Sequence, residues 1–139
     1  MTRTIRTTLA ATFTAVAIAS AAAVAPAHAG GSVSYTYVPK NAKEAQALST
    51  GLRLFSIYQY SQANGGHITQ QGVANAAGLG QNGQGNLGVI YQKGNGNTGT
   101  LQQNGNYNSY GVFQFGNGGN TAVTQNGNGQ AGITVQGSW

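Results

Sequence analysis

The sequence predicts an all-β fold, a β-solenoid of stacked strand–turn–strand coils built from 11-residue half-repeats, with 22 residues in each coil. Three observations predict it. Glutamine recurs at an unbroken interval of eleven residues from position 59 to position 136. Glycine follows most of these glutamines by two places. The residues expected to point inward are an asparagine, a small residue, an aliphatic residue and the next glutamine, and they then fall at every second position. A period of two is typical of β-strands, and a fixed longer period is typical of repeat folds.

The first segment, residues 1–29, has the features of a secretory signal peptide. Arg3 and Arg6 precede a short alanine-rich apolar run, which ends in small residues. This arrangement is typical of a signal that is removed on export, and cleavage is expected between Ala29 and Gly30. No second apolar run of spanning length follows, so the mature protein is expected to be exported and to lack a membrane span.

The second segment, residues 30–50, is a leader that holds most of the charge of the mature chain, with a short helical turn expected around residues 41–48. The mature chain carries four cationic side chains and one acidic side chain, a formal net charge of +3, without a clustered basic patch. Nucleic-acid binding is therefore not expected. Cysteine is absent, so disulfides cannot stabilise the exported chain.

The third segment, residues 51–139, is the repeat domain. We expect its recurring amide side chains to point inward and to stack in columns. The predicted ladder glutamines are Gln59, Gln70, Gln81, Gln92, Gln103, Gln114, Gln125 and Gln136. The predicted ladder asparagines are Asn64, Asn75, Asn86, Asn97 and Asn108. The predicted turn glycines, which suit tight reversals, are Gly72, Gly83, Gly94, Gly105, Gly116 and Gly127.

Stacking explains how such a polar chain can form a core. Two successive strands make one flattened coil, and the coils stack about 4.8 Å apart. Because equivalent residues then lie above one another, amide side chains can hydrogen-bond up the column, which removes the cost of burying them unpaired. High glutamine and asparagine content with few charges makes the predicted solenoid amyloid-like.

Outward positions alternate in character between successive units. The more apolar set comprises Leu87, Val89, Tyr91, Ser109, Gly111, Phe113, Ala131, Ile133 and Val135. The small or polar set comprises Ala76, Gly78, Gly80, Thr98, Thr100, Gln102, Asn120, Ala122 and Thr124. Two strands that face opposite ways produce this alternation, so we expect one wettable face and one apolar face open to sideways association.

The two ends of the stack are expected to differ little from its middle. Residues 52–58 precede the first glutamine in the same phase and are expected to form an imperfect first strand or a cap, giving about four coils. Residues 132–139 remain strand-like, so no C-terminal cap is evident. Solenoids without caps present unpaired backbone groups, and we therefore expect molecules to add head to tail as further layers.

The repeat resembles that of the curlins, the exported subunits of bacterial curli fibres. The likeness is carried by the pattern Gln-x-Gly-x-x-Asn-x-Ala-x-aliphatic-x-Gln at residues 70–81 and extends over about residues 59–136. It implies a secreted β-solenoid that polymerises into amyloid fibres of the biofilm matrix at the cell surface. It also implies other curli subunits, an outer-membrane secretion pore and accessory proteins as partners.

The chain departs from the curlin pattern in two ways. Asparagine begins both arms of the coil, where curlins generally alternate serine and asparagine, so the two arms are unusually alike. The leader after Gly30 also differs from the glycine-rich pore-targeting segment of the major curli subunit. The role within curli, as major or as minor nucleating and anchoring subunit, therefore stays open.

An enzyme is not expected. The chain lacks Asp and Cys, its one carboxylate side chain is Glu44, and after cleavage it retains one histidine, His67, at an outward position expected to be solvated. Acid–base pairs, metal sites and cofactor sites cannot be assembled from this set, so no cofactor is predicted. A monomeric solenoid that binds ice or carbohydrate is a further alternative, for which Thr98, Thr100 and Thr124 would supply part of a flat ladder.

Overall fold

The structure, a computed structural model, describes residues 31–139. The expected signal peptide and the Ala29–Gly30 cleavage site lie outside the described residues. The described elements are β1 Ser32–Tyr37, α1 Ala42–Tyr60, β2 Gly65–Gln71, β3 Ala76–Asn82, β4 Leu87–Lys93, β5 Thr98–Asn104, β6 Ser109–Gly116, β7 Asn120–Asn126 and β8 Ala131–Ser138. No helix within this range is long and apolar enough to cross a membrane.

The seven strands after the helix form a β-solenoid of about three turns, which confirms the predicted solenoid. The fold is not all-β as predicted, because a 19-residue helix precedes these strands. They alternate between a five-stranded sheet of order β1-β8-β6-β4-β2 and a three-stranded sheet of order β3-β5-β7. Neighbouring repeat strands are parallel, and each residue pairs with the residue 22 places later, as Gln70 does with Gln92. Two 11-residue half-repeats therefore make one coil.

The links between strands depend on glycine. All six predicted turn glycines have a positive φ, from 93° at Gly116 to 129° at Gly127. At Gly94 the coils also approach so closely that an added Cβ atom would collide with the backbone carbonyl of Gly116 in the next coil. Both conditions exclude larger residues, which explains why glycine recurs two places after the glutamine.

The space between the two sheets holds a small apolar core. Ile90, Leu101 and Val112 are fully buried there, and Tyr110 fills the space beside them. The Tyr110 hydroxyl and the Thr134 hydroxyl are hydrogen-bonded at 2.8 Å. Each coil thus supplies one aliphatic layer, and the amide columns lie next to it.

Residues 52–58 do not form the expected first strand or cap layer, because they belong to the helix α1. Asn41 caps that helix by accepting a hydrogen bond from the Glu44 backbone N–H at 3.0 Å. Leu48, Leu52 and Phe55 follow at helical spacing and pack together against the sheet. The predicted turn at 41–48 therefore continues through Tyr60, and the solenoid has about three coils rather than four.

The helix covers the apolar outer face of the five-stranded sheet. Leu87 and Val89 are fully buried beneath Leu52, and the rings of Phe55 and Phe113 meet edge to face at 5.6 Å. The sequence correctly assigned the apolar residues to one face, but the expectation that this face is open to sideways association was wrong. His67 is half-buried rather than fully solvated, because its ring stacks on Tyr60 at 4.4 Å and its Nε2 atom is buried.

The helix runs across the whole face, from one edge of the sheet to the other. Near its start, Glu44 accepts a hydrogen bond from the Tyr37 hydroxyl of β1 at 2.8 Å. At its end, the Tyr60 hydroxyl is hydrogen-bonded to Thr69 of β2 at 2.7 Å. A helix of 19 residues is long enough to tie the two edges together.

The C-terminal edge of the five-stranded sheet is capped, contrary to the expectation from the sequence. β1 pairs with β8 in antiparallel register, with Ser32 opposite Ser138 and Tyr37 opposite Ile133. The hydroxyl oxygens of Thr36 and Thr134 lie 2.9 Å apart across this pair. The leader segment is therefore an edge-covering strand followed by the start of the helix.

Two leucines on α1 provide a test of how much the helix contributes. Leu52 is 4% exposed and Leu54 is 50% exposed. We expect Leu52→Ala to lower the free energy of unfolding by about 2–5 kcal/mol, because it opens a cavity above Leu87 and Val89. Urea unfolding of the soluble monomer, followed by circular dichroism, measures the change. The control Leu54→Ala is expected to cost about 0.5 kcal/mol or less, and equal losses in the two variants would contradict the burial of this face.

Candidate assembly interface

Seven of the eight predicted ladder glutamines form hydrogen-bonded columns along the solenoid. In the five-stranded sheet the side-chain amides of Gln70, Gln92 and Gln114 each donate to the next glutamine, ending at Gln136, over 2.7–2.9 Å. In the three-stranded sheet Gln81 donates to Gln103, and Gln103 donates to Gln125, both at 2.8 Å. Every bond points the same way, from the earlier coil to the later one.

The second amide proton of each fully buried glutamine side chain also makes a hydrogen bond. The Nε2 atom of Gln92 also donates to the Ala76 carbonyl at 3.0 Å, and that of Gln103 donates to the Leu87 carbonyl at 3.1 Å. These carbonyls lie at the starts of strands in the opposite sheet, so the glutamines connect the two sheets. Gln92, Gln103 and Gln114 are fully buried, and this complete pairing removes the penalty for burying them.

The asparagine columns hold the links between strands. Asn75 accepts from the backbone N–H of Asn97 at 2.9 Å, and Asn86 accepts in the same way from Asn108 at 2.9 Å. The side-chain amide of Asn108 in turn donates to the carbonyl of Gly127 in the next link, at 2.8 Å. Each of these asparagines therefore fixes the chain reversal of the following coil.

Two predicted ladder residues are not in the columns. Gln59 is exposed on α1, because the helix continues through the position where the glutamine period would place a strand. Asn64 is exposed in the connection to β2, and it makes no column bond within residues 31–139. Both residues have the phase of the repeat, but the segment that contains them does not form a strand of either sheet.

The structure adds a further column that the sequence analysis did not identify. Asn95, Asn106, Asn117 and Asn128 lie at the turns, three places after a ladder glutamine. Asn128 accepts from the backbone N–H of Asn106 at 2.7 Å, and Asn106 accepts from that of Gln84 at 2.8 Å. The sequence does indicate this column, because asparagine recurs three residues after the ladder glutamine in the last four units.

The two ends of the columns are complementary. At the N-terminal end, the Oε1 atom of Gln81 has no hydrogen-bond donor among the described residues, and its Nε2 donates into the column. At the C-terminal end, Gln125 accepts through Oε1, and its Nε2 has no acceptor within the same range. A donor is therefore available at one end of the molecule and an acceptor at the other.

The sheets end at different heights. Within residues 31–139 the strands β1, β2, β3 and β7 each have a single neighbouring strand, and β1 covers β8. A groove of about 470 Å³ consequently opens beside β7, with Ser34 and Thr36 of β1 on one wall and residues 120–124 on the other. Across its base, the Thr121 hydroxyl donates to Oε1 of Gln136 at 2.8 Å.

Charge is almost absent from this end-to-end surface. Between Gln59 and Trp139 the one Lys or Arg is Lys93, and this range has no acidic side chain. Glu44 lies at the junction of β1 and α1, where a hydrogen bond from the Lys40 backbone N–H and another from the Tyr37 hydroxyl lower the pKa of its carboxyl group. Lys40, Lys43 and Arg53 lie on α1 or directly before it, so little charge lies on the strand edges themselves to oppose the approach of one end to the other.

Comparison of the chain with protein-family models, with curated proteins and with solved structures finds no match.

Proposed function

We propose that this chain is a secreted structural subunit that self-assembles into curli-like functional amyloid fibres of the extracellular biofilm matrix, where the fibres mediate adhesion and aggregation. The observation that carries the proposal is the polarity of the glutamine columns. Among the described residues, the side-chain donors of Gln125 and Gln136 are free at one end, and the acceptors of Gln70 and Gln81 are free at the other. A second copy extends the columns without a change of bonding pattern. Main-chain pairing at the strand edges adds to this stabilisation.

Export and partners follow from the same proposal. Removal of residues 1–29 would deliver the mature chain outside the cell, and the resemblance to curlin repeats suggests a curli-type pore, accessory proteins and other curli subunits as partners. A nucleating or anchoring minor subunit uses the same repeat surface. Seeding of a partner subunit by preformed fibres of this chain distinguishes the minor from the major role.

Assembly is tested with the mature chain, residues 30–139, purified in denaturant and diluted into buffer. We expect unbranched fibres by electron microscopy and cross-β reflections near 4.7 Å and 10 Å by fibre diffraction. A chain that stays monomeric at high concentration and gives neither reflection would overturn the proposal.

A monomeric binding solenoid is the second candidate, and one observation favours it. β1 covers the β8 edge and α1 covers the apolar face, and such covers are typical of solenoids that stay monomeric. The exposed threonines do not support a flat ligand ladder, because Thr98 and Thr100 pair with Asn120 and Ala122 rather than with threonine. Retention of the monomer on immobilised polysaccharide or on ice would favour this candidate.

A further inference from the structure

The solenoid contains seven strands, and this odd number constrains how copies of the chain can stack. Of the seven strands β2–β8, four lie in the five-stranded sheet and three lie in the other. If a second copy stacked in the same orientation, β2 of that copy would follow β8, and β3 of that copy would follow β7. One strand position in the three-stranded sheet would then stay empty at every junction, exposing backbone groups of β7 and polar groups of the core.

Rotation of the second copy by half a turn about the solenoid axis removes the gap. In that orientation β2 of the second copy lies on β7, and β3 of the second copy lies on β8. The chain order of the strands then continues through the junction as if the two copies were one solenoid. Both sheets gain strands at the same rate, and no position is left empty.

The register of the half-repeats permits this exchange of sheets. The ladder glutamines share a single 11-residue phase in both sheets, so a strand of either sheet presents its glutamine at the same place. Gln70 of the second copy would meet Gln125, and its Gln81 would meet Gln136. Ile68 of the second copy would lie over Val123, which continues the aliphatic layer. Its Leu79 would lie over Thr134, which takes the place of the aliphatic residue in β8.

The C-terminal end has a place for each incoming strand. The groove of about 470 Å³ beside β7 is open, and it is bounded by the edge that β2 of the second copy would pair with. The place on β8 is held by β1, which is exposed along most of its length and lies at the edge of the sheet. β1 therefore buries little surface when it pairs with β8, and it can be replaced by a strand that also extends a glutamine column.

We infer that successive copies in the fibre are related by a half turn about its axis, with β1 displaced from β8 at each junction. This inference rests on the proposed assembly into fibres and specifies its partner, a second copy of this chain presented in the rotated orientation. The helix α1 then lies on opposite sides of the fibre in alternate copies. Seven strands in two sheets give a rise of roughly 17 Å per copy, and a repeat of roughly 34 Å after two copies.

Helical reconstruction of fibres by electron cryomicroscopy tests the inference. Wild-type fibres are expected to show a rise of roughly 17 Å with a rotation of about 180° per copy, and helix density on alternate sides. Fibres whose helices all lie on one side would overturn the half-turn arrangement while leaving the proposed function intact. Failure to form any fibre would overturn the proposed function together with this inference.

An eight-strand variant provides the matched control. Replacing Ser138 and Trp139 with a copy of residues 94–104 adds one half-repeat in phase. It changes the last residue of β8 and leaves β2–β7 and the helix unchanged. Each sheet then has four repeat strands, and the half turn is no longer needed. We expect fibres of this variant to have a rise of roughly 19 Å with the helices on one side. A half turn that persists in this variant would contradict the strand-count argument.

Discussion

Cross-linking β1 to β8 is expected to abolish fibre growth. Thr36 and Thr134 are register partners in the antiparallel pair, and their hydroxyl oxygens lie 2.9 Å apart, so cysteines at both positions can form a disulfide. The chain contains no cysteine, which excludes mispairing with other thiols. Because the covalent bond holds β1 on the edge that a second copy needs, the oxidised protein should remain a monomer. Thioflavin fluorescence and electron microscopy measure growth.

The same protein under reducing conditions is the control, since it carries both substitutions without the cross-link. Addition of a reductant to the oxidised monomer should start growth after a lag, and the single variant Thr134→Cys should grow with or without a reductant. Growth of the oxidised protein at the rate of the reduced protein would show that β1 does not have to leave β8. Native mass spectrometry verifies that the disulfide has formed within one chain.

A lysine in the buried column is expected to have the largest effect on stability. Gln103 is fully buried and bonded to Gln81, Gln125 and the Leu87 carbonyl. Gln103→Lys places a charge in this column and removes an acceptor and two donor bonds. We expect the free energy of unfolding to fall by at least about 3 kcal/mol, with loss of fibre formation.

Gln102 provides the matched control, because it is the neighbouring residue on the same strand but faces solvent. Gln102→Lys should change the free energy of unfolding by about 0.5 kcal/mol or less. Burial should hold the pKa of the new lysine in Gln103→Lys below its unfolded value. The unfolded state then binds more protons, so stability should recover as the pH rises toward about 10. Equal effects of the two substitutions would show that the glutamine column does not govern stability.

Covering of the strand edges gives these predictions a common physical basis. An exposed strand edge promotes association, and in the monomer β1 covers the β8 edge and becomes the edge strand itself. β1 and the incoming strand of a second copy compete for the same backbone groups of β8. The monomer is therefore favoured when molecules are dilute, and assembly is favoured when a fibre end is present at high local concentration.

The helix was only partly predictable from the sequence. Asn41 followed by Glu44 three places later is a helix N-terminus signal, and the prediction of a turn at 41–48 used that region. The glutamine period argued for a strand through Gln59, although Leu48, Leu52 and Phe55 have helical spacing. Which pattern prevails depends on whether Leu87 and Val89 have a cover, and the local sequence does not contain that information.

The sequence by itself determined the features that repeat: the 22-residue coil, the inward glutamines from Gln70 onward, the glycine turns and the apolar side of one sheet. Each depends on contacts between equivalent positions of successive coils, so the period alone encodes them. Only the tertiary structure decided what covers the non-repeating surfaces, which are the apolar face under α1 and the β8 edge under β1. Those contacts join residues that are far apart in sequence and occur once each, and a pattern that does not recur leaves no period to detect.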